Sequence, residues 1–159
     1  MPSTAKQQRI VRRTVAQKPF ATLATSSASH WTLVAGVLYV EGDGALYVTT
    51  SRSSAKVRHI RENPRVAVCI PVQSYPLFPP FCVQFQGHAM LHAPDDPAIA
   101  PMLASGRLKK ITSHGELDDP DTCLVRIPLP RRVATYGLGV PIRTLLRDPL
   151  AAARVVELA

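Results

Sequence analysis

Cysteine is scarce in this sequence. Cys69, Cys82 and Cys123 are odd in number, widely spaced and form no CxxC pair, which argues against a disulfide framework and against a thiolate zinc site. A reducing, cytoplasmic location is expected. No apolar run approaches the roughly 20 residues of a membrane-spanning helix, and the N-terminus begins polar and basic, without the apolar core of a signal peptide. Neither membrane insertion nor secretion is expected. Acidic residues are also few, 11 against 19 Lys and Arg, which leaves a formal net charge of +8. The rest is ordinary for a globular chain: 159 residues, 46% of them hydrophobic, enough to bury roughly 70% of the surface the unfolded chain exposes. A single domain spanning residues 1–159 is expected, with no need of disulfides or a structural metal.

The positive charge is uneven along the chain. Residues 1–65 hold ten Lys or Arg against three acids, and the remainder nine against eight. An anionic partner is expected for the first part: nucleic acid, an anionic lipid surface or a phosphorylated small molecule, between which charge alone does not choose.

Residues 5–18 contain no Gly or Pro and cluster Ile10, Val11 and Val15 at helical spacing, which predicts a basic amphipathic helix ended by Pro19. FATLAT (20–25) reads as a strand. WTLVAGVLYV (31–40) and ALYVTT (45–50) flank Asp43-Gly44, a strong hairpin signal. Ser53 or Ser54 then caps a short helix that stops near Asn63, because Pro64 disfavours helical geometry before it. RVAVCI (65–70) is a strand, 71–80 a Pro-rich loop, and 81–92 one long strand bent at Gly87. Residues 95–105 read as a helix, 113–121 as an acidic loop and 122–127 as the last core strand. The barrel would occupy 20–137, and 138–159 form a tail that closes in a short helix. About six strands joined mostly by short turns, with two or three peripheral helices, fit a mainly β, closed or half-open antiparallel barrel better than a doubly wound sheet.

The segment Thr49 to Arg65 carries the most specific chemistry. A strand end, a run of hydroxyls and a helix start present free backbone N–H groups, and Arg52, Lys56, Arg58 and Arg61 add cations. That pattern suits a phosphate, and as a charge run alone it also suits a solvated helix face. Arg9, Arg12 and Arg13 read as a solvated helix face: no nucleic-acid motif accompanies them and aromatics are only 6% of the chain. The acidic residues Glu116, Asp118, Asp119 and Asp121 lack the spacing of a calcium loop and read as solvated. The three cysteines read as small packing residues.

FATLAT, LVAGVLYVEGDGALYVTT, AKVRHIRENPRVAVCI and VQFQGHAML stand in the order and at the spacing of the pyridoxamine-phosphate-oxidase-like split β-barrel flavoproteins, which include deazaflavin-dependent reductases, and RRVATYG resembles that family's closing strand. The resemblance covers about two thirds of the chain. It implies a split-barrel homodimer with cofactors at the subunit interface, and two-electron transfer to a small organic substrate. By the same resemblance Thr49 and Thr50 contact the ribityl chain and phosphate, Lys56 is the phosphate-binding lysine, Val34, Ala35, Gly36 and Val37 form the strand whose backbone faces the ring system, and Gln84 is a contact from the other subunit. Arg52 and Arg58 rest on charge alone. Ala55 and Val34 stand where the oxidases proper have arginines, and the tail lacks their closing segment, so vitamin B6 phosphates are not expected as substrates. The Ala55-Lys56 pair followed by Arg58 and Arg61 resembles the branch that binds the deazaflavin coenzyme F-420, a polyanion, with FMN close behind.

A reduced flavin supplies the hydride itself, so no acid–base residue is strictly required. Tyr75, His88 and His114 are candidates for proton delivery, none in a motif. His88 and His92 lie four apart on the expected strand and would share a face, a weak haem or metal pair, and Trp31 is a candidate for stacking on a cofactor. Two other readings stay open: a non-catalytic split-barrel protein that binds a cofactor such as haem, and a basic nucleic-acid-associated protein.

Overall fold

The computed structural model describes residues 4–73 and 81–158. In chain order the elements are α1 (Ala5–Gln17), β1 (Phe20–Ser26), β2 (Thr32–Leu38), β3 (Val40–Gly42), β4 (Ala45–Ser51), α2 (Ala55–Glu62), β5 (Arg65–Val72), β6 (Phe81–His88), β7 (Met90–His92), α3 (Ala100–Ala104), α4 (Lys109–Thr112), β8 (Thr122–Pro128), β9 (Arg132–Tyr136), α5 (Ile142–Arg147) and β10 (Ala153–Glu157). The strand pairs of known register are antiparallel. Among the described residues there are ten strands and five α-helices, against the six or so and the two or three expected. No helix among the described residues is long and apolar enough to cross a membrane.

The chain divides into two compact units, 19–68 with 86–129, and 1–18 with 69–85 and 130–159. In the first unit, β4 lies between β3 and β8, and β7 adds to the far side of β8. Ala45 to Val48 of β4 and Thr122 to Val125 of β8 are buried on both faces, so these strands read as continuous runs. Ile99, Met102, Leu108 and Ile111, from α3, α4 and the residues just before them, pack on Ala45, Tyr47 and Leu124. The β3–β4 hairpin closes on Asp43 and Gly44 with φ of 49° and 72°, the two positive values a type I′ turn demands. Alongside, β1 pairs β2 from Phe20↔Leu38 to Ser26↔Thr32. The start of β5 follows β1, with Val66 and Val68 turned inward.

Both long strands expected from the sequence are broken in two. The breaks fall at Tyr39 and Ala89, where the chain passes from one sheet to the other: β2 pairs β1 whereas β3 pairs β4, and β6 lies beside β5 whereas β7 pairs β8. The second break corrects the pairing of His88 with His92: His88 ends a strand beside β5, whereas His92 belongs to the sheet of β7 and β8. They do not share a strand face.

The other unit is built on β6, β9 and β10, with the end of β5 beyond β6. Its tail departs from the helical ending expected: α5 forms, but the chain finishes as β10, paired to β9 from Ala153↔Tyr136 to Glu157↔Arg132. The β-branched Val155 and Val156 favour that outcome, and Arg132 grips Glu157 from Nε and Nη2 at 3.0 and 2.8 Å. In α1, Val11 and Val15 are buried, Arg12 donates to the Leu158 carbonyl and Arg13 Nε to Gln17 Oε1 at 3.3 Å, so the Arg9, Arg12 and Arg13 face is tied down at two of its three positions. Gly137 sits at φ 75°, and a Cβ there would lie 2.0 Å from the Phe81 ring, which packs on Val140, Leu145 and Ala152. Gly137→Ala is expected to cost about 2 kcal/mol or more through backbone strain and overpacking; the urea midpoint checks it, and an unchanged midpoint would refute the requirement for glycine.

Candidate functional site

In the first unit a hollow of about 530 Å³ opens over the end of β4 and the middle of β2. Gly36, Val37, Thr49, Thr50 and Lys56, five of the residues expected at a cofactor site, line it. Thr49 and Thr50 arrive there because β4 runs on to Ser51 in register with β8, Ser51 facing Thr122. The Thr49 hydroxyl donates to the Ile111 carbonyl at 2.8 Å, which fixes one wall, and Lys56 Nζ donates to Thr50 Oγ1 at 3.0 Å, which brings its charge onto the strand end.

Between strand and helix, Ser51, Arg52, Ser53 and Ser54 form a tight turn held by one acid. Asp121 accepts from both Ser51 and Ser53 hydroxyls, the second at 3.0 Å, while the Arg52 amide donates to the Asp121 carbonyl. The Ser51 hydroxyl bond, ahead of the contributions of Ser53 and Arg52, holds the Asp121 carboxyl below its usual range. Because its folded pKa is lowered, the stability Asp121 contributes is present above the ordinary Asp value near 3.9 and is lost as pH falls through the folded value. Asp121→Asn is accordingly expected to flatten part of the acid limb of a stability-against-pH curve; an unaltered limb would refute the anchor.

At the start of α2, Ser54 occupies the N-cap but makes no capping bond, and its Oγ is buried without a partner. The first intrahelical bond is Arg58 N–H to the Ser54 carbonyl, so the N–H groups of Ala55, Lys56 and Val57 have no partner in the helix. Unpaired amides, an orphaned hydroxyl and a lysine at one strand-to-helix turn make a fit for a phosphate group.

Other expected residues lie elsewhere. Val34 and Ala35 share β2 with the lining residues but do not themselves line the hollow, and Val34 is 65% exposed. Arg52 Nε is spent on the Thr122 carbonyl at 2.9 Å and Arg58 Nη1 on the Ser53 carbonyl at 2.7 Å, so neither reaches the hollow. Gln84 belongs to the second unit, where its amide donates to Cys82 Sγ at 3.4 Å. Trp31 is 77% exposed and does not line the hollow, Tyr75 lies outside the described residues, and His88 lies at a different depression. His114 does line the hollow, its ring 83% exposed. Burial pushes the Cys123 thiol up, in keeping with a packing role, and no cluster of three metal-binding side chains occurs among the described residues.

The acidic loop is exposed at Asp118 and Asp119, as expected, and also borders the hollow. Glu116, Asp119 and Asp121 line the hollow with Lys110, and the backbone amides of Glu116 and His114 keep the Glu116 carboxyl below its usual range. This unit as a whole holds nine Lys or Arg against nine acids, and the other holds ten against two. The net positive charge of the chain therefore does not belong to the unit that contains the hollow.

The model of the pyridoxamine 5'-phosphate oxidase family matches residues 8–129. The chain belongs to that family. Its fold is the split barrel shared with solved structures of low identity. The haem storage protein HutZ of Vibrio cholerae is similar at a TM-score of 0.70, 18% identical over 81% of this chain and 94% of that one. A haem binding protein of Mycobacterium smegmatis gives 0.70 at 19% identity, covering 99% of this chain and 59% of that one, so the present chain spans little more than half of its length. An FAD-binding protein of Mesorhizobium loti gives 0.63 at 18%, over 79% and 88%. No curated protein matches. Family and neighbours thus bracket flavin-binding and haem-binding proteins.

Proposed function

We propose that this family member binds a flavin-type cofactor in the hollow of the first unit and serves as a two-electron oxidoreductase for a small organic substrate. One observation carries the reading: Thr50 and Lys56, joined by a hydrogen bond where α2 opens, line the same 530 Å³ hollow as Gly36, Val37 and Leu38 of β2. Lys56, Thr50 and the α2 amides hold the phosphate, and the Gly36–Val37 backbone flanks the ring system. When bound, the cofactor supplies hydride chemistry. Anchored by Asp121, the turn keeps the phosphate end rigid, and the apolar wall of Val37 and Leu38 excludes water from the ring end.

Between FMN and F-420 the two sides are even. Ala55 followed by Arg58 and Arg61 favours the deazaflavin, while the unit that holds the hollow has as many acids as Lys and Arg and so adds no net attraction of its own for a polyanionic tail. The functional test is anaerobic: protein loaded with reduced cofactor is mixed with a panel of quinone and activated-alkene acceptors. Reoxidation faster than that of free cofactor supports an oxidoreductase; equal rates throughout would refute it.

A homodimer is part of the proposal. On β2 the outward residues Val34 and Leu38 are 65% and 60% exposed, and Phe20, paired with Leu38, extends the apolar face. Exposed apolar area of this kind marks a protein contact. Val34→Asp is expected to convert a dimer into a monomer in sedimentation velocity; a wild-type monomer would refute this part.

The haem-binding neighbours favour a second reading, storage of haem without catalysis. In this hollow His114 is the imidazole available to iron. That reading requires the spectrum of a haemin complex to change in His114→Ala.

A further inference from the structure

The same unit contains another hollow, of about 590 Å³, that shares no lining residue with the first. It lies where the end of β1, the start of β2, the start of β5 and the end of β6 meet, and Asn63, the C-cap of α2, borders it. Its composition differs sharply from the cofactor hollow. Three carboxylates face the first, and none lines the second. Arg65, Gln86, His88 and Thr32 all line it, and none of their side chains is engaged in a hydrogen bond or ion pair. The nearest acid in sequence, Glu62, is occupied by the Ala28 amide at 2.9 Å. Asn63 Oδ1 accepts the Arg65 backbone N–H at 3.2 Å, which leaves the Asn63 amide nitrogen as a further donor.

An unpaired guanidinium, an imidazole, two amides and a hydroxyl around an acid-free depression offer donors without competing acceptors of full charge. Arg supplies a planar fork suited to a carboxylate or phosphate, and an imidazole adds a further hydrogen-bonding nitrogen. We propose that this second hollow is a binding site for a small anion bearing carboxylate or phosphate groups, with Arg65 as its principal contact and His88 as a second one. Thr32 shares the outward side of β2 with Val34 and Leu38, so the site borders the apolar face described above.

The test is a titration of the purified protein with citrate and, separately, inorganic phosphate, followed by amide and imidazole NMR shifts. Saturable shifts at residues 63–67 and 86–88 are expected with at least one probe. Arg65→Ala is expected to weaken binding there roughly 10-fold or more, His88→Gln to weaken it by less, and Lys56→Ala to leave those shifts unchanged. No shift up to about 10 mM of either anion, a free energy of only some −2.7 kcal/mol, would overturn the proposal. Binding lost in Lys56→Ala but kept in Arg65→Ala would also overturn it, since the anion would then occupy the cofactor hollow. Because the readout is anion binding alone, the result stands apart from whether a flavin binds.

Discussion

Lys56→Ala is expected to weaken binding of FMN or F-420 by roughly 10- to 150-fold, the loss of one charge-assisted contact worth about 1.5 to 3 kcal/mol. Lys56 is placed for that role by two independent constraints. Its amide belongs to the unpaired first turn of α2, and its ammonium is drawn back to Thr50 Oγ1 at 3.0 Å on the end of β4. A phosphate that reached the open amides would meet the ammonium at the same point. Arg58→Ala is the matched control, since it removes one positive charge from the same helix but a guanidinium already committed to the Ser53 carbonyl. A small change for Arg58 and a large one for Lys56, read by fluorescence titration, supports a localised cradle. Equal changes would point to general charge attraction and sink the assignment.

Leu124→Ala is expected to destabilise the protein by about 2 to 5 kcal/mol, a fall in Tm of roughly 4 to 20 °C. Leu124 is fully buried and packs with Tyr47, Ile99, Met102, Leu108 and Ile111, so truncation opens a cavity among groups from β4, α3 and α4. The same residue faces Thr49 across the β4–β8 ladder, and Thr49 bonds the Ile111 carbonyl. Core packing and the wall of the cofactor hollow therefore share atoms. Scanning calorimetry checks the prediction, and an unchanged Tm would show that the cluster is not a core.

What could be read from the sequence is what local chemistry determines. The Asp43-Gly44 hairpin, the helix stop before Pro64, and the strand–turn–helix around Lys56 all lie within short stretches whose residues constrain their own backbone; the expected hydroxyl cap does not form, since Ser54 sits at the N-cap position without a capping bond. Relations between distant segments were not legible. Nothing near Asp121 marks it as the anchor of a turn 70 residues earlier; the register Ser51↔Thr122 creates that contact. The same holds for Arg52, spent on the Thr122 carbonyl. The runs 31–40 and 81–92 break at Tyr39 and Ala89 because the chain passes there from one sheet to the other, a change of pairing partner with no signature in strand propensity. The charge balance along the sequence is likewise not that of either unit, since residues 1–18 group with 130–159 and the hollow belongs to 19–68 with 86–129.

The most direct measurement is a fluorescence titration of the purified protein with FMN and, in parallel, F-420. Saturable binding of at least one with a Kd well below about 100 μM, some −5.5 kcal/mol, is the predicted result. Failure of both to bind at that level, with haemin binding instead, would contradict a flavin site in the hollow between Thr50 and Lys56.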